Sequence, residues 1–143
     1  YHLDAQDVRT LQMLLFVEDV DDDSGPFVLI EAEETEKLAR LINYRKKGAT
    51  RRIDDELIEK NVPPEKIHSL TGPAGSVYIA DSDRCFHYGS RKASKPRFII
   101  AFQYFTPYAF SVPFKWWKKL PYANNPNLDK YNKIERLVLG APQ

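Results

Sequence analysis

Arg97-Phe98-Ile99-Ile100-Ala101-Phe102-Gln103-Tyr104-Phe105-Thr106 decides the fold class. The run is β-branched and aromatic throughout, and Pro96 marks its start, so it predicts a strand over 97–106. Working upstream, Cys85 to Tyr88 and Ser76 to Ala80 are further short runs, with the turn Gly72-Pro73-Ala74-Gly75 before them. Ile67 to Leu70 and Phe27 to Ile30 read as short strands, and Arg9 to Asp19 (RTLQMLLFVED) as a longer one. Asp21-Asp22-Asp23-Ser24-Gly25-Pro26 is a turn. Between residues 31 and 66 the period changes. Leu38, Leu41 and Ile42 recur at helical spacing from Glu31 to Lys47, and Gly48-Ala49-Thr50 closes that helix. Asp54 or Asp55 caps a second helix through Glu59, and Pro63-Pro64 stops it. Downstream, Pro107 and Pro113 bound a loop. Phe114 to Gln143 is a tail with the cluster PFKWWKKLPY and a helix from Leu128 to Leu139. Short strands with turns between them predict a mainly β sandwich or barrel interrupted by one helical insertion, about 31–66.

The 143 residues suit one domain, with residues 1–112 as its core and 113–143 as its tail. Hydrophobic residues at 43% and charged ones at 29% are ordinary for a globular chain, while 13% aromatics predict an aromatic-lined face or pocket. A net charge of +1 gives no global field to recruit nucleic acid or an anionic membrane. No apolar run approaches the roughly 20 residues of a membrane span. Cys85 is the only cysteine, which rules out an internal disulfide and predicts a reducing, cytoplasmic setting. The chain has no initiator Met and places a ligand-like motif at residue 2, so it reads as a piece of a longer protein.

That motif is Tyr1-His2-Leu3-Asp4. On a strand, residues two apart share a face, so His2 and Asp4 project side by side. A distant histidine, His87 in Cys85-Phe86-His87-Tyr88-Gly89, completes the 2-His-1-carboxylate set of non-haem iron(II), which leaves the opposite face of the metal open. Arg97, ten residues on, suits the far carboxylate of 2-oxoglutarate, because its guanidinium forks bidentately and stays charged.

Other candidates have plainer readings. Asp81 and Asp83 are turn residues. His68, before a short strand, is surface. Asp21-Asp22-Asp23 lacks the spaced ligands of a calcium loop and reads as a solvated turn. Lys115-Trp116-Trp117-Lys118-Lys119 reads as tail packing or a subunit contact rather than a membrane or nucleic-acid patch.

The text around the ligands resembles the phytanoyl-CoA dioxygenase-like family of iron(II)/2-oxoglutarate oxygenases. The similarity lies in H-x-D, in EDVDDDSGPF (Glu18 to Phe27), in TGPAGSVYIAD (Thr71 to Asp81) running into CFHYGSR (Cys85 to Arg91), and in PRFIIAFQY (Pro96 to Tyr104). It covers about residues 1 to 112. The resemblance implies a double-stranded β-helix (jelly-roll, cupin-like) core, incomplete at its N-terminus because the family's early strands are missing. It implies that His2, Asp4 and His87 bind Fe(II), that Arg97 binds 2-oxoglutarate, and that Leu14 lines the co-substrate pocket with Gln12 on the same face. Two departures stand out. Where many members continue G-P-F with P-G-S-H, this chain has Leu29-Ile30-Glu31-Ala32, and the N-terminal portion is absent. The two ligands nearest the chain start are expected to be the most weakly held.

The implied activity is hydroxylation of a C–H bond in a small organic substrate, with dioxygen and 2-oxoglutarate consumed and succinate and carbon dioxide released. Asp4 matters here, since related halogenating sites replace the carboxylate with a small residue. The alternatives are a non-catalytic jelly-roll module that binds a ligand, and an inactive fragment of an oxygenase. The substrate's identity and the oligomeric state are not written in the sequence.

Overall fold

Alternation along the apolar runs sorts this chain into two antiparallel sheets. The computed structural model describes residues 1–44, 51–106, 109 and 127–138. Its strands are β1 (Thr10–Phe16), β2 (Phe27–Ile30), β3 (Ile67–Leu70), β4 (Val77–Asp81), β5 (His87–Tyr88) and β6 (Ile99–Phe105). One sheet has the order β4-β1-β6, the other β3-β2-β5. Every pairing is antiparallel. The chain is thus mainly β with a few helices, as its sequence predicts.

The facing sides of the sheets share one core. On β1, Leu14 and Phe16 point inward and cluster with Val20, Phe27 and Leu70, with Leu29, Tyr78 and Ile99 against them. Phe27 and Leu29 take one face of β2, and Val28 and Ile30 take the other. That second face meets Leu38 of α1 (Ala32–Leu41) and Ile58 of α2 (Asp55–Asn61), together with Tyr1, Leu3, Ile53, Val62 and Phe86. Burial of each such large side chain stabilises by about 1.5–3 kcal/mol. The helical insertion is therefore the lid of the second sheet, not an appendage.

Element ends follow local chemistry. Asp21 caps a 3-10 turn over Asp22–Ser24, and Gly25 leaves it at φ 63°. A Cβ there would lie 2.9 Å from Ala93 Cβ and 3.2 Å from the Arg91 carbonyl oxygen, so the turn before Phe27 requires glycine. The first helix stops at Leu41, short of the expected Lys47, because Asn43 adopts the left-handed conformation. The predicted turn at 48–50 lies outside the described residues. The second helix runs to Asn61, just before Pro63. The β5 strand begins only at His87, because the Phe86 amide donates to the Thr35 hydroxyl of α1 (3.0 Å) instead of to a strand.

The chain divides into two compact units, Tyr1–Ala109 and Phe110–Gln143. In the second, the expected helix from Leu128 to Leu139 is broken into a 3-10 turn over Leu128–Lys130 and α3 (Lys133–Val138). Asn132 makes the break. Its side chain accepts from the Ile134 and Glu135 amides, while Glu135 accepts from the Asn132 amide, a reciprocal cap that starts a new helix. Trp116 and Trp117 lie outside the described residues. Among the described residues no helix is long and apolar enough to cross a membrane.

Candidate metal centre

His2 and His87 face each other across an antiparallel bridge. Each amide donates to the other's carbonyl at 3.0 Å, and the ring centroids are 4.4 Å apart. Asp4, two residues along, shares the face of His2, and its amide donates to the Ser82 carbonyl (3.1 Å). Asp4 Oδ1 lies 3.8 Å from His2 Nε2 and 3.7 Å from His87 Nε2. One ligand atom from each of the three residues falls within 4.8 Å of the others, and together they could hold a metal ion.

The second layer favours metal binding. His87 Nδ1 lies 2.9 Å from the Cys85 carbonyl oxygen. A carbonyl only accepts, so Nδ1 carries a proton, and Nε2 is the ring nitrogen turned toward Asp4, the one a metal would take. The Phe27 ring stacks on His87, with centroids 5.1 Å apart at 17°. Asp4 is buried, and its Oδ2 has no hydrogen-bond partner. A buried carboxylate oxygen left unpaired is uncommon in a folded protein, and a cation is the group that would satisfy it. Two ligands at right angles, each about 2.1 Å from a metal, stand roughly 3 Å apart. Small side-chain rotations would therefore close the present spacing onto an ion.

Electrostatics point the same way. Burial, then the neighbouring His87, holds the His2 imidazole down at about 4, so it is neutral near pH 7, as a ligand must be. Burial pushes the Asp4 carboxyl up, but the His87 and Ser82 side chains outweigh it and leave the group below its ordinary value. The site is also firmly mounted, against the expectation for its place in the chain. Tyr1 and Leu3 are buried in the core beneath the helices, and the Ile53 amide donates to the Tyr1 carbonyl at 2.7 Å. The odd residues of this short segment anchor it while the even ones carry the candidate ligands.

Arg97 enters from the start of β6. Its Nη2 donates to Ser90 Oγ (2.9 Å), while Nη1 is buried and has no partner. A Cβ on Gly89 would sit 3.5 Å from Arg97 Nη2 and 3.8 Å from Phe27 Cδ2. Gly89 follows His87 by two residues on the same face. The guanidinium therefore lies beside the ring that stacks on His87, roughly 7 Å along the strand from that ligand. Leu14 is fully buried in the core between the sheets, in the same cluster as Phe27. Gln12 shares its face, and Gln12 Oε1 is buried without a partner.

Asp81 and Asp83 belong to the turn after β4. Asp83 accepts from the Thr10 amide (3.0 Å), and burial, reinforced by Asp83, pushes the Asp81 carboxyl up to about 6. Among the described residues, no other group of three His, Cys, Asp or Glu side chains converges as a metal site would. Sequence reasoning missed three supporting groups. They are the Cys85 carbonyl, which as backbone has no side-chain signal; Ser90, held at φ 57° as the partner of Arg97; and the Phe27 ring, legible only as part of G-P-F. Comparison with protein-family models and with curated proteins finds no match to this chain.

Proposed function

We propose that this chain carries the metal centre of an iron(II)- and 2-oxoglutarate-dependent oxygenase that hydroxylates a small organic substrate. The observation that carries the proposal is the convergence of His2, Asp4 and His87 on the inward face, with Arg97, whose Nη1 is buried without a partner, farther along the same strand face. Strand order supports a jelly-roll form in part: the chain crosses between the sheets at β1–β2, β3–β4, β4–β5 and β5–β6, while β2 and β3 pair within the second sheet. Iron(II), when bound here, would supply activation of dioxygen at the expense of 2-oxoglutarate.

The protein's own groups orient and shield. The Cys85 carbonyl fixes the His87 tautomer, and Asp4 brings the one negative charge that two neutral imidazoles lack. A carboxylate at that position also occupies the place that a halide would need, which favours hydroxylation over halogenation. Arg97, already freed of competing partners on Nη1, would hold the distal carboxylate of the co-substrate through charge-assisted hydrogen bonds. Phe27 and Leu14 keep water from the inner side. Succinate formation from 2-oxoglutarate, with iron(II) and dioxygen supplied, tests the proposal. His87→Ala should abolish it. Arg97→Lys should keep metal binding but weaken the co-substrate about tenfold, because a point charge replaces a fork. Turnover unchanged in His87→Ala would exclude the mechanism.

A further inference from the structure

All three histidines of the chain stand in one row across the second sheet. His2 pairs with His87, His87 with Leu29, and Leu29 with His68. Directly paired residues of antiparallel strands project from the same face, so His68 lies on the face of the metal ligands. It stands two strand spacings from His87, roughly 10 Å between Cα positions. Leu29, half-buried, fills the interval.

His68 is not a bare surface histidine. Its Nε2 lies 3.0 Å from Glu31 Oε1, and Lys66 Nζ donates to Glu31 Oε2 at 3.0 Å. Glu31 and Lys66 share the face of Leu29 and His68 by the same alternation, since the Glu31 amide donates to the Lys66 carbonyl and extends the β2–β3 ladder. The Lys66 and His68 side chains hold the Glu31 carboxyl below its ordinary value, so it is anionic. A carboxylate accepts, so Nε2 of His68 donates to it. In the neutral ring Nδ1 is then the acceptor, the arrangement in which a carboxylate aims an imidazole at a ligand. Glu31 and Lys66 cancel in charge, so the cluster selects a neutral donor over an anion.

We propose that the His68–Glu31 pair, set by Lys66, is the specificity point for a substrate at the metal centre. It would accept a hydrogen bond from a hydroxyl or amide N–H carried at the far end of a short aliphatic segment, with Leu29 beneath that segment. The assignment depends on the metal centre proposed above, and the test separates the two.

The probes are hydroxamates bound to the zinc-loaded protein, zinc serving as a redox-silent occupant. Acetohydroxamate reports the metal alone. A graded series of ω-hydroxyalkanohydroxamates, each beside its alkyl counterpart, measures reach. The expected result is roughly five- to tenfold tighter binding of the hydroxyl compound over its alkyl counterpart at one intermediate chain length, the effect of one well-placed hydrogen bond. His68→Ala should erase that advantage, and Glu31→Gln should reduce it, with acetohydroxamate affinity unchanged in both. A smooth gain with each methylene, or an advantage that survives His68→Ala, would overturn the proposal and leave the metal centre standing. Failure of acetohydroxamate to bind the zinc-loaded wild type would overturn both.

Discussion

At the scale of single residues, His2, Asp4 and His87 come together because alternation puts the first two on one face and an antiparallel bridge sets His87 opposite His2, a group that could hold a metal ion. His-x-Asp and a later histidine are side-chain signals, and strand alternation fixes the face on which they meet. Illegible were the partners that make the set work, such as the Cys85 carbonyl behind His87, because a backbone group leaves no trace in residue type. His68 was read as plain surface. Its exposure supports that, but its row does not, since register across three strands is invisible until the pairing is known. The Asp81 and Asp83 pair was legible as a turn but not as a titrating unit. The folded Asp81 carboxyl is pushed up to about 6 from an ordinary 3.8, so between those values the folded state holds more protons than the unfolded one. Stability contributed by this group is therefore full below the lower value and is lost as pH rises through the upper. Asp81→Asn should raise the unfolding midpoint at pH 7, and the gap over wild type should close on acidification through the same window. A gap independent of pH would show that the two carboxyls do not share a proton.

At the scale of elements, strands and turns were read closely, and helix ends less so. Turns announce themselves through Gly, Pro and Asp, whereas the first helix ends at Asn43 by a left-handed residue that composition does not demand. The tail helix was read as one piece because its apolar spacing continues through Asn132, whose capping role depends on local geometry. The short β5 strand has a cause no strand rule contains. Thr35 of α1, buried, accepts from the Phe86 amide and donates to the Ile30 carbonyl (3.4 Å), tying the helical insertion to the strand that carries His87. Thr35→Val keeps the shape and removes both bonds, stranding a buried amide. The expected cost is about 1–3 kcal/mol in denaturant unfolding, with weaker metal binding because His87 follows Phe86 directly. A neutral substitution would mean that the Phe86 amide finds another acceptor.

At the scale of the whole molecule, the mainly β class followed from composition and turn spacing, whereas the pairing order of the strands could not. Near-continuous apolar runs such as Phe98 to Phe105 imply strands covered on both faces. On the inner face of the first sheet the core covers Leu14 and Phe16 of β1 but leaves Ala101 and Gln103 of β6 exposed, and the outer face exposes Leu11, Val77, Ile79, Ile100, Phe102 and Tyr104, with Ile79 68% exposed. A contiguous apolar face of this kind binds hydrophobic dye and promotes association. Phe102→Lys with Ile79→Lys should lower dye binding and self-association in sedimentation while leaving metal affinity intact. Loss of metal binding in that double variant would mean that the outer face supports the site.

The central claim is that three side chains from distant parts of the sequence form one metal site that accepts a 2-oxo acid. The most direct measurement is the visible charge-transfer absorption of 2-oxoglutarate chelated to iron(II), recorded without oxygen. Wild type should develop the band at one iron per chain, and His87→Ala should lose it along with metal-dependent thermal stabilisation. A band of equal strength in His87→Ala, or no iron binding by the wild-type chain, would contradict the account.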